Sequence, residues 1–298
     1  MTLRMTRRSF TALAGALLLS PGTGARASSS PITRTIPDSG EPIPAVGLGT
    51  ATVFDVDDDA TRRKASAVVQ ALVAGDGRLI DTASTYGDAE SILGEVMAST
   101  GLRDRLFIAT KLESPDAEEL KRSLARLKTA RVDLLQLHNV RNTHQSLAAF
   151  RDWKQHGLCR YIGITSTYHR DYPAVEAVLE REKPDFVQID YSLDNRGAEK
   201  TILPLAADVK AGVLTALPFG RGRLFRAVHG KELPDWAKPF AGSWGQFFLK
   251  YLLADPRVTA VIPGTADAAH MTDNAGAMHG PLPDPDQRRR MVEFIEAL

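Results

Sequence analysis

The sequence holds a single cysteine, Cys159, among 298 residues. One thiol makes no intramolecular disulfide and no metal site by itself. Cys159 is therefore expected as a small hydrophobe in or beside a strand. Charge of one sign is missing too. Lys and Arg number 37 against 36 Asp and Glu, a formal net charge of +1, which argues against the basic face that a nucleic-acid partner requires. No acidic or basic block is long enough to serve as an interaction tail. The apolar run from Phe10 to Leu19 is too short to cross a bilayer as a helix. Neither a Walker A pattern nor a His-x-His pair occurs, so no metal is expected. Gly47-Leu48-Gly49-Thr50-Ala51-Thr52 starts like a dinucleotide-binding fingerprint but lacks its third glycine.

What is present begins with a distinct first segment. Arg4, Arg7 and Arg8 precede the Phe10–Leu19 run, and Ala25-Arg26-Ala27 follows it. This is the order of a positive region, an apolar region and a small-residue cleavage site. The pair in Thr6-Arg7-Arg8-Ser9-Phe10 resembles a twin-arginine signal. Residues 1–27 are expected to be a cleavable signal, with residues 28–298 as the mature protein. The expected partner is the twin-arginine export machinery and the expected location the periplasm or outside the cell. The mature chain is not expected to be membrane-embedded, and it is expected to be a monomer.

Beyond that segment, short apolar runs alternate with amphipathic stretches. Strands are expected at Ala45–Thr50, Leu79–Ala83, Leu106–Lys111, Val132–His138, Tyr161–Thr165, Phe186–Tyr191, Gly212–Pro218 and Val258–Gly264. Several are almost continuously apolar, as parallel strands buried on both faces are. Helical spacing marks Ala60–Ala74, Glu118–Leu127, Ala174–Glu182 and Trp244–Leu253. A βα alternation implies a parallel sheet, and eight strands favour a closed (β/α)8 TIM barrel over an open sheet. Residues 35–44 read as a hairpin turning at Asp38-Ser39-Gly40. Asp286–Ala297 reads as an extra C-terminal helix. The length suits one barrel domain, and no internal linker divides it.

Polar groups recur at the ends of successive expected strands. Asp81 closes Leu79-Ile80, and Tyr86 follows five residues later. Lys111 ends the third run and His138 the fourth. Asp81 and Lys111 are 30 positions apart, Lys111 and His138 27, which matches one βα unit of roughly 30 residues. The four groups should therefore converge at the C-terminal mouth of the barrel, where such enzymes place their chemistry. Taken singly, each has an ordinary reading as a helix cap, solvated lysine, rim aromatic or core histidine.

These segments resemble the aldo-keto reductase superfamily over essentially the whole mature chain. The resemblance rests on Val46-Gly47-Leu48-Gly49-Thr50, on Leu79–Gly87 followed by Ala89-Glu90, on Ala109-Thr110-Lys111 and on Asp133–His138. It implies a catalytic tetrad of Asp81, Tyr86, Lys111 and His138. Reducing a carbonyl requires hydride at carbon and a proton at oxygen. Free tyrosine, with a pKa of about 10, is a poor proton shuttle at neutral pH. The Lys111 ammonium is expected to lower that value, with Asp81 neutralising and positioning the lysine. His138 would donate a hydrogen bond to the substrate oxygen.

The resemblance also implies a nicotinamide dinucleotide, NADP(H) in preference to NAD(H). Its expected contacts are Thr50, Asp81, Thr165, Ser166, Gln188, Pro218, Gly220, Arg221, Gly264, Thr265 and Asn274. Gln188 matches the glutamine on the nicotinamide carboxamide, and Asn274 the asparagine on adenine. Ser166 replaces the family's usual asparagine. Ala216 stands where many members carry an aromatic that stacks on the nicotinamide, with Phe219 or Trp244 as substitutes. Gly264 and His270 stand where NADP-preferring members often carry Lys and Arg. Arg221 and Arg223 are further candidates for the diphosphate. The substrate expected is a small carbonyl compound or its alcohol. Two other readings stay open: a nicotinamide-binding regulatory or sensor subunit with little turnover, and a barrel lyase that uses Lys111 as a Schiff base.

Overall fold

The computed structural model describes residues 30–140 and 142–298. The segment expected to be a signal, residues 1–27, lies outside the described residues. An antiparallel hairpin comes first: β1 (Thr33–Thr35) pairs with β2 (Pro42–Pro44) in the register Thr33↔Pro44 and Thr35↔Pro42. Gly40 turns it with φ of 74°, a conformation open to a residue without Cβ. This agrees with the hairpin expected at residues 35–44.

Eight parallel strands follow: β3 (Leu48–Gly49), β4 (Leu79–Asp81), β5 (Phe107–Leu112), β6 (Val132–His138), β7 (Cys159–Ser166), β8 (Phe186–Asp190), β9 (Gly212–Ala216) and β10 (Ala260–Val261). Each pairs with its sequence neighbour, from β3 through to β10. The barrel closes between its first and last strands. Gly47 N donates to Val261 O at 2.8 Å, Val261 N to Ala45 O at 2.9 Å and Gly49 N to Pro263 O at 3.0 Å. These two strands are shorter than the periodicity suggests. Pro263 has no N–H to give to a ladder, and the pairing there continues only as isolated bridges, Val46↔Val261 and Gly49↔Gly264.

Helices wrap the outside: α1 (Asp59–Ala74), α2 (Ala89–Thr100), α3 (Ala117–Arg126), α4 (Thr143–Gln155), α5 (Tyr172–Glu182), α6 (Ile202–Asp208), α7 (Arg223–Ala227), α8 (Trp244–Leu253), α9 (Ala268–Gly276) and α10 (Pro285–Glu296). Aspartates at the helix starts accept from otherwise unpaired N–H groups, as Asp58 does from Thr61 N at 2.7 Å and Asp284 from Gln287 N at 2.8 Å. Helix α2 is not among the stretches expected to be helical, although Ile92, Leu93, Val96 and Met97 share one face. It buries Glu90 and Gly94 beside them. Glu90 is held by Thr110 Oγ1 at 2.6 Å, Ser123 Oγ at 2.5 Å and Arg126 Nε at 2.8 Å.

Two apolar cores result. Outward-facing strand residues pack under the helices in the larger one. Inward-facing residues, among them Leu79, Phe107, Leu134, Tyr161, Phe186 and Leu214, fill the barrel's axis in the smaller. Ile36 and Ile43 from the hairpin complete that inner layer, so the hairpin closes the floor of the barrel and leaves the opposite mouth open. Cys159 is buried, and burial pushes its thiol up to about 12. Among the described residues no helix is long and apolar enough to cross a membrane.

Candidate active site

The open mouth holds a cavity of about 440 Å³ lined by residues from all eight strand ends and their loops. Parallel strands with alternating side chains bring one inward residue per strand to the same level. The register pairs Asp81 with Ala109, Lys111 with Gln136, His138 with Thr165, and Thr165 with Gln188. Asp81, Tyr86, Lys111, His138, Thr165 and Gln188 all line the cavity. The convergence expected from the spacing is thus realised by adjacent strands.

Lys111 is the hub. It is 1% exposed, and its Nζ donates to Asp81 Oδ2 at 2.7 Å, to Thr82 O at 2.8 Å and to the Tyr86 hydroxyl at 3.4 Å. An ammonium has three protons to give, and all three have takers. Burial opposes the charge, but Asp81 and Tyr86 outweigh it and raise the lysine above its ordinary value. Asp81 is equally committed. Besides Lys111 it accepts from Gln188 Nε2 at 3.0 Å and from Gln136 Nε2 at 3.1 Å. Gln136 was not foreseen, although its place two residues before His138 puts it on the same strand face.

Lys111 does pull the tyrosine's pKa down, as expected, but the expected net lowering needs correcting. The Tyr86 phenol lies above its ordinary value. Burial raises it, Lys111 pulls it down, and Asp81 raises it again. The physical reason is burial: taking the phenol out of water penalises the phenolate by more than the Lys111 ammonium favours it, and the Asp81 carboxylate adds to that penalty. His138 meets Tyr86 edge-on with ring centroids 5.6 Å apart. Burial, and then Lys111, lower its pKa, while Glu113 and Asp81 oppose them.

The remaining lining residues include Ala51, Thr52, Val53, Asn139 and Thr167 from the loops after β3, β6 and β7, and Ala216, Leu217, Pro218, Phe219, Arg221, Ile262 and Gly264 from the ends of β9 and β10 and the segments after them. A second hollow shares Phe219 and Gly264 with the first and continues outward past Phe225, Ser243, Trp244, Thr265, His270, Asp273 and Asn274. The two form one elongated path from the strand ends to the start of α9. Gly264 sits where that path narrows. A Cβ there would stand 3.3 Å from Gly49 O.

Whether a dinucleotide fits can be judged from what the walls offer. Gln188 is 2% exposed, and its Oε1 is buried without a partner, an acceptor open to an N–H donor such as a carboxamide. Thr165 lines the same wall. After β9 the backbone takes positive φ at Leu217, Gly220, Arg221 and Gly222. Such conformations are costly for residues with a Cβ, and here they bring Arg221 to the cavity wall. Thr265 and Asn274 line the outer end. The residues present therefore suit a nicotinamide, a diphosphate and an adenosine in that order.

Several expected contacts are placed otherwise. Ser166 is turned away: its hydroxyl donates to Asp171 at 2.7 Å and accepts from Tyr168 N at 3.2 Å. It does not line the cavity, because Asp171 lies close enough in sequence to capture so short a side chain. Thr50 is fully buried, and its hydroxyl donates to Asp81 O at 3.2 Å, bracing β4 rather than facing the hollow. Gly220 lies against the Asp194 carboxylate. Arg223 also binds Asp194, at 2.8 Å, which leaves Arg221 as the arginine in the wall. Ala216 lines the cavity as expected and supplies no ring; Phe219 stands beside both hollows, and Trp244 beside the outer one. Among the described residues, no lysine or arginine lines the outer hollow.

Comparison with known proteins gives the family and the fold. Residues 45–295 match the model of the aldo/keto reductase family. The chain is 30% identical over 251 residues to methylglyoxal reductase YeaE of Escherichia coli (strain K12), covering 79% of this chain and 86% of the relative. It is 26% identical over 298 residues to the uncharacterized oxidoreductase YqkF of Bacillus subtilis (strain 168), covering 86% and 92%. Among solved structures, an aldo-keto reductase from Klebsiella pneumoniae in complex with NADPH superposes with a TM-score of 0.76 at 24% identity, covering 89% of this chain and 95% of that one. The glycerol dehydrogenase AKR11B4 from Gluconobacter oxydans gives 0.74 at 21% identity, covering 89% and 95%. These last two likenesses establish the fold.

Proposed function

The chain belongs to the aldo/keto reductase family, and on that premise we propose that it is an NAD(P)(H)-dependent oxidoreductase interconverting an aldehyde or ketone with its alcohol. The observation that carries this reading is the shared ammonium: Lys111 Nζ bridges Asp81 Oδ2 at 2.7 Å and the Tyr86 hydroxyl at 3.4 Å at a cavity wall. A bound nicotinamide dinucleotide supplies the hydride for reduction or takes it in oxidation. Tyr86 holds the proton that the substrate oxygen gains or loses. Lys111 keeps the phenol oriented and favours its anionic form. Gln188 and Thr165 hold the carboxamide, Arg221 the diphosphate, and Thr265, His270 and Asn274 the adenosine end. Asp81 acts through Lys111 and Gln188.

The proposed cofactor is NADP(H) by preference, with NAD(H) also accepted: the Klebsiella pneumoniae neighbour is in complex with NADPH, and Thr265 and His270 line the outer hollow where a 2′-phosphate would be held. The substrate is a small carbonyl compound, taken between Tyr86, His138, Asn139 and the Thr52–Val53 loop. Methylglyoxal, named for the Escherichia coli relative, is a first compound to try. The Schiff-base alternative loses ground on physical terms. A nucleophilic lysine must shed its proton, whereas Lys111 is paired, fully bonded and raised in pKa. The test is dinucleotide binding followed by oxidation of NADPH with small aldehydes. Binding without turnover on any of them would favour a sensor instead.

Export by the twin-arginine machinery to the periplasm, with cleavage near Ala27, and a monomeric mature chain complete the proposal. Mass analysis of the protein from the exported fraction checks the cleavage, and sedimentation checks the oligomeric state.

A further inference from the structure

Lys111 and Glu113 are two positions apart at the end of β5, and alternation along a strand sends both side chains the same way. Lys111 turns to Asp81. Glu113 reaches the neighbouring strand end, where its Oε1 lies 2.7 Å from His138 Nδ1. Asn139 Nδ2 stands 3.5 Å from the other carboxylate oxygen, and Thr85 Oγ1 lies 3.3 Å from the same His138 nitrogen. His138 is 19% exposed and Glu113 48% exposed, so one edge of the pair faces the cavity and the other faces water.

We infer that Glu113 is a positioning residue for His138: it fixes the imidazole proton on Nδ1 and leaves Nε2 as the nitrogen that serves the substrate. The inference rests on the proposed carbonyl–alcohol reaction. A carboxylate accepts and does not donate, so the nitrogen facing it carries the hydrogen. Neutral His138 then presents a lone pair at Nε2 and accepts a hydrogen bond from an alcohol. Only the imidazolium presents N–H at Nε2 and donates to a carbonyl oxygen. Glu113 thereby links the ring's protonation to the direction of reaction. Reduction needs the charged ring and falls as pH rises through the ring's pKa. Oxidation needs the neutral ring and rises.

The groups facing His138 are Lys111 on β5, Asp81 on β4, Tyr86 and Thr85 on the loop after β4, and Glu113 itself. Asp81 is already engaged by Lys111. Glu113 is therefore the carboxylate whose loss the ring would feel most.

Nitrogen-15 NMR of the His138 ring in the whole chain without added ligand, identified by its loss in H138A, reads the tautomer directly. The expected result is Nδ1–H in the unaltered protein and a loss of that preference in E113A. In E113Q the apparent pKa of the ring and of the reduction profile should both fall by about half to one pH unit, with kcat changed more than KM. E113D should restore part of the shift. A ring in the Nε2–H tautomer in the unaltered protein, or an unchanged ring in E113A, would overturn the inference. The NMR arm is independent of turnover, so failure of Glu113 to act can be told from failure of the chain to use a dinucleotide.

Discussion

Lys111 Nζ and the Tyr86 hydroxyl stand 3.4 Å apart, and the same ammonium is 2.7 Å from Asp81. Lys111 pulls the Tyr86 phenol towards its anion, but burial outweighs that pull, and the phenol stays protonated through the neutral range. The Tyr86 proton is available for reduction at any ordinary pH, so the pH dependence of that direction falls to His138; oxidation, which needs the phenol to accept a proton, depends on whatever phenolate Lys111 secures. In K111M the pull towards phenolate is gone, so the phenol's pKa rises further. Oxidation should fall more steeply than reduction, which parallel pH–rate profiles in both directions will show.

Removing the phenol itself is a sharper test. Y86F keeps the ring and the packing but has no proton to transfer, and general acid–base catalysis is worth about 10²–10⁴-fold. kcat should fall by that range while the dinucleotide dissociation constant changes less than about threefold. Fluorescence titration and steady-state rates separate the two. Near-normal turnover would remove Tyr86 from its role.

The Asp81–Lys111 pair is buried, with side-chain exposures of 5% and 2%. Removing one partner leaves the other uncompensated, at a cost of about 3–5 kcal/mol. D81N should lower the urea midpoint accordingly. The double variant D81N/K111M should recover much of that loss while remaining inactive. If the double variant were no more stable than D81N, the pair would not be coupled as the geometry requires.

At the outer end of the path, Asp273 lies among the lining residues with His270 and Thr265. A 2′-phosphate there meets little fixed positive charge. H270R adds a guanidinium able to make charge-assisted bonds to phosphate. It should tighten NADPH by about tenfold, equivalent to about 1.4 kcal/mol, and leave NADH nearly unchanged. Calorimetric titration with both cofactors decides this.

Away from the site, Glu182 ends α5 under His144 at 2.8 Å and Arg151 at 3.1 Å. Burial opposes its charge, but hydrogen bonds from His144, Arg181 and Arg151 bring its pKa down to about 2 from the ordinary 4.5. A carboxylate held low contributes stability above its unfolded pKa and loses it as pH falls towards the folded one. E182Q should therefore lower Tm at pH 7 and make little difference near pH 2, as thermal melts across that window will reveal.

Much of this site could be read along the chain. Asp81, Lys111 and His138 sit one βα unit apart, and in a barrel such an interval advances one strand around the ring. Chain spacing therefore becomes angular position. Gln188 and Thr165 follow by the same rule. Glu113 escaped notice because a glutamate after a strand is ordinarily solvated. The clue was its place two residues beyond Lys111, on the same face. Ser166 was misjudged because its nearest competitor, Asp171, belongs to the turn that follows and not to the strand.

By itself, then, the order of residues indicated eight parallel strands, a leading hairpin and the polar groups at the strand ends, since period and spacing depend only on backbone geometry. Tertiary packing decided which of those groups partner one another and how strongly each holds its proton. Burial and the competition of Asp81 for Lys111 are properties of neighbours brought together from distant positions, and no local pattern contains them. That is why the phenol of Tyr86 rises where the sequence suggested it would fall.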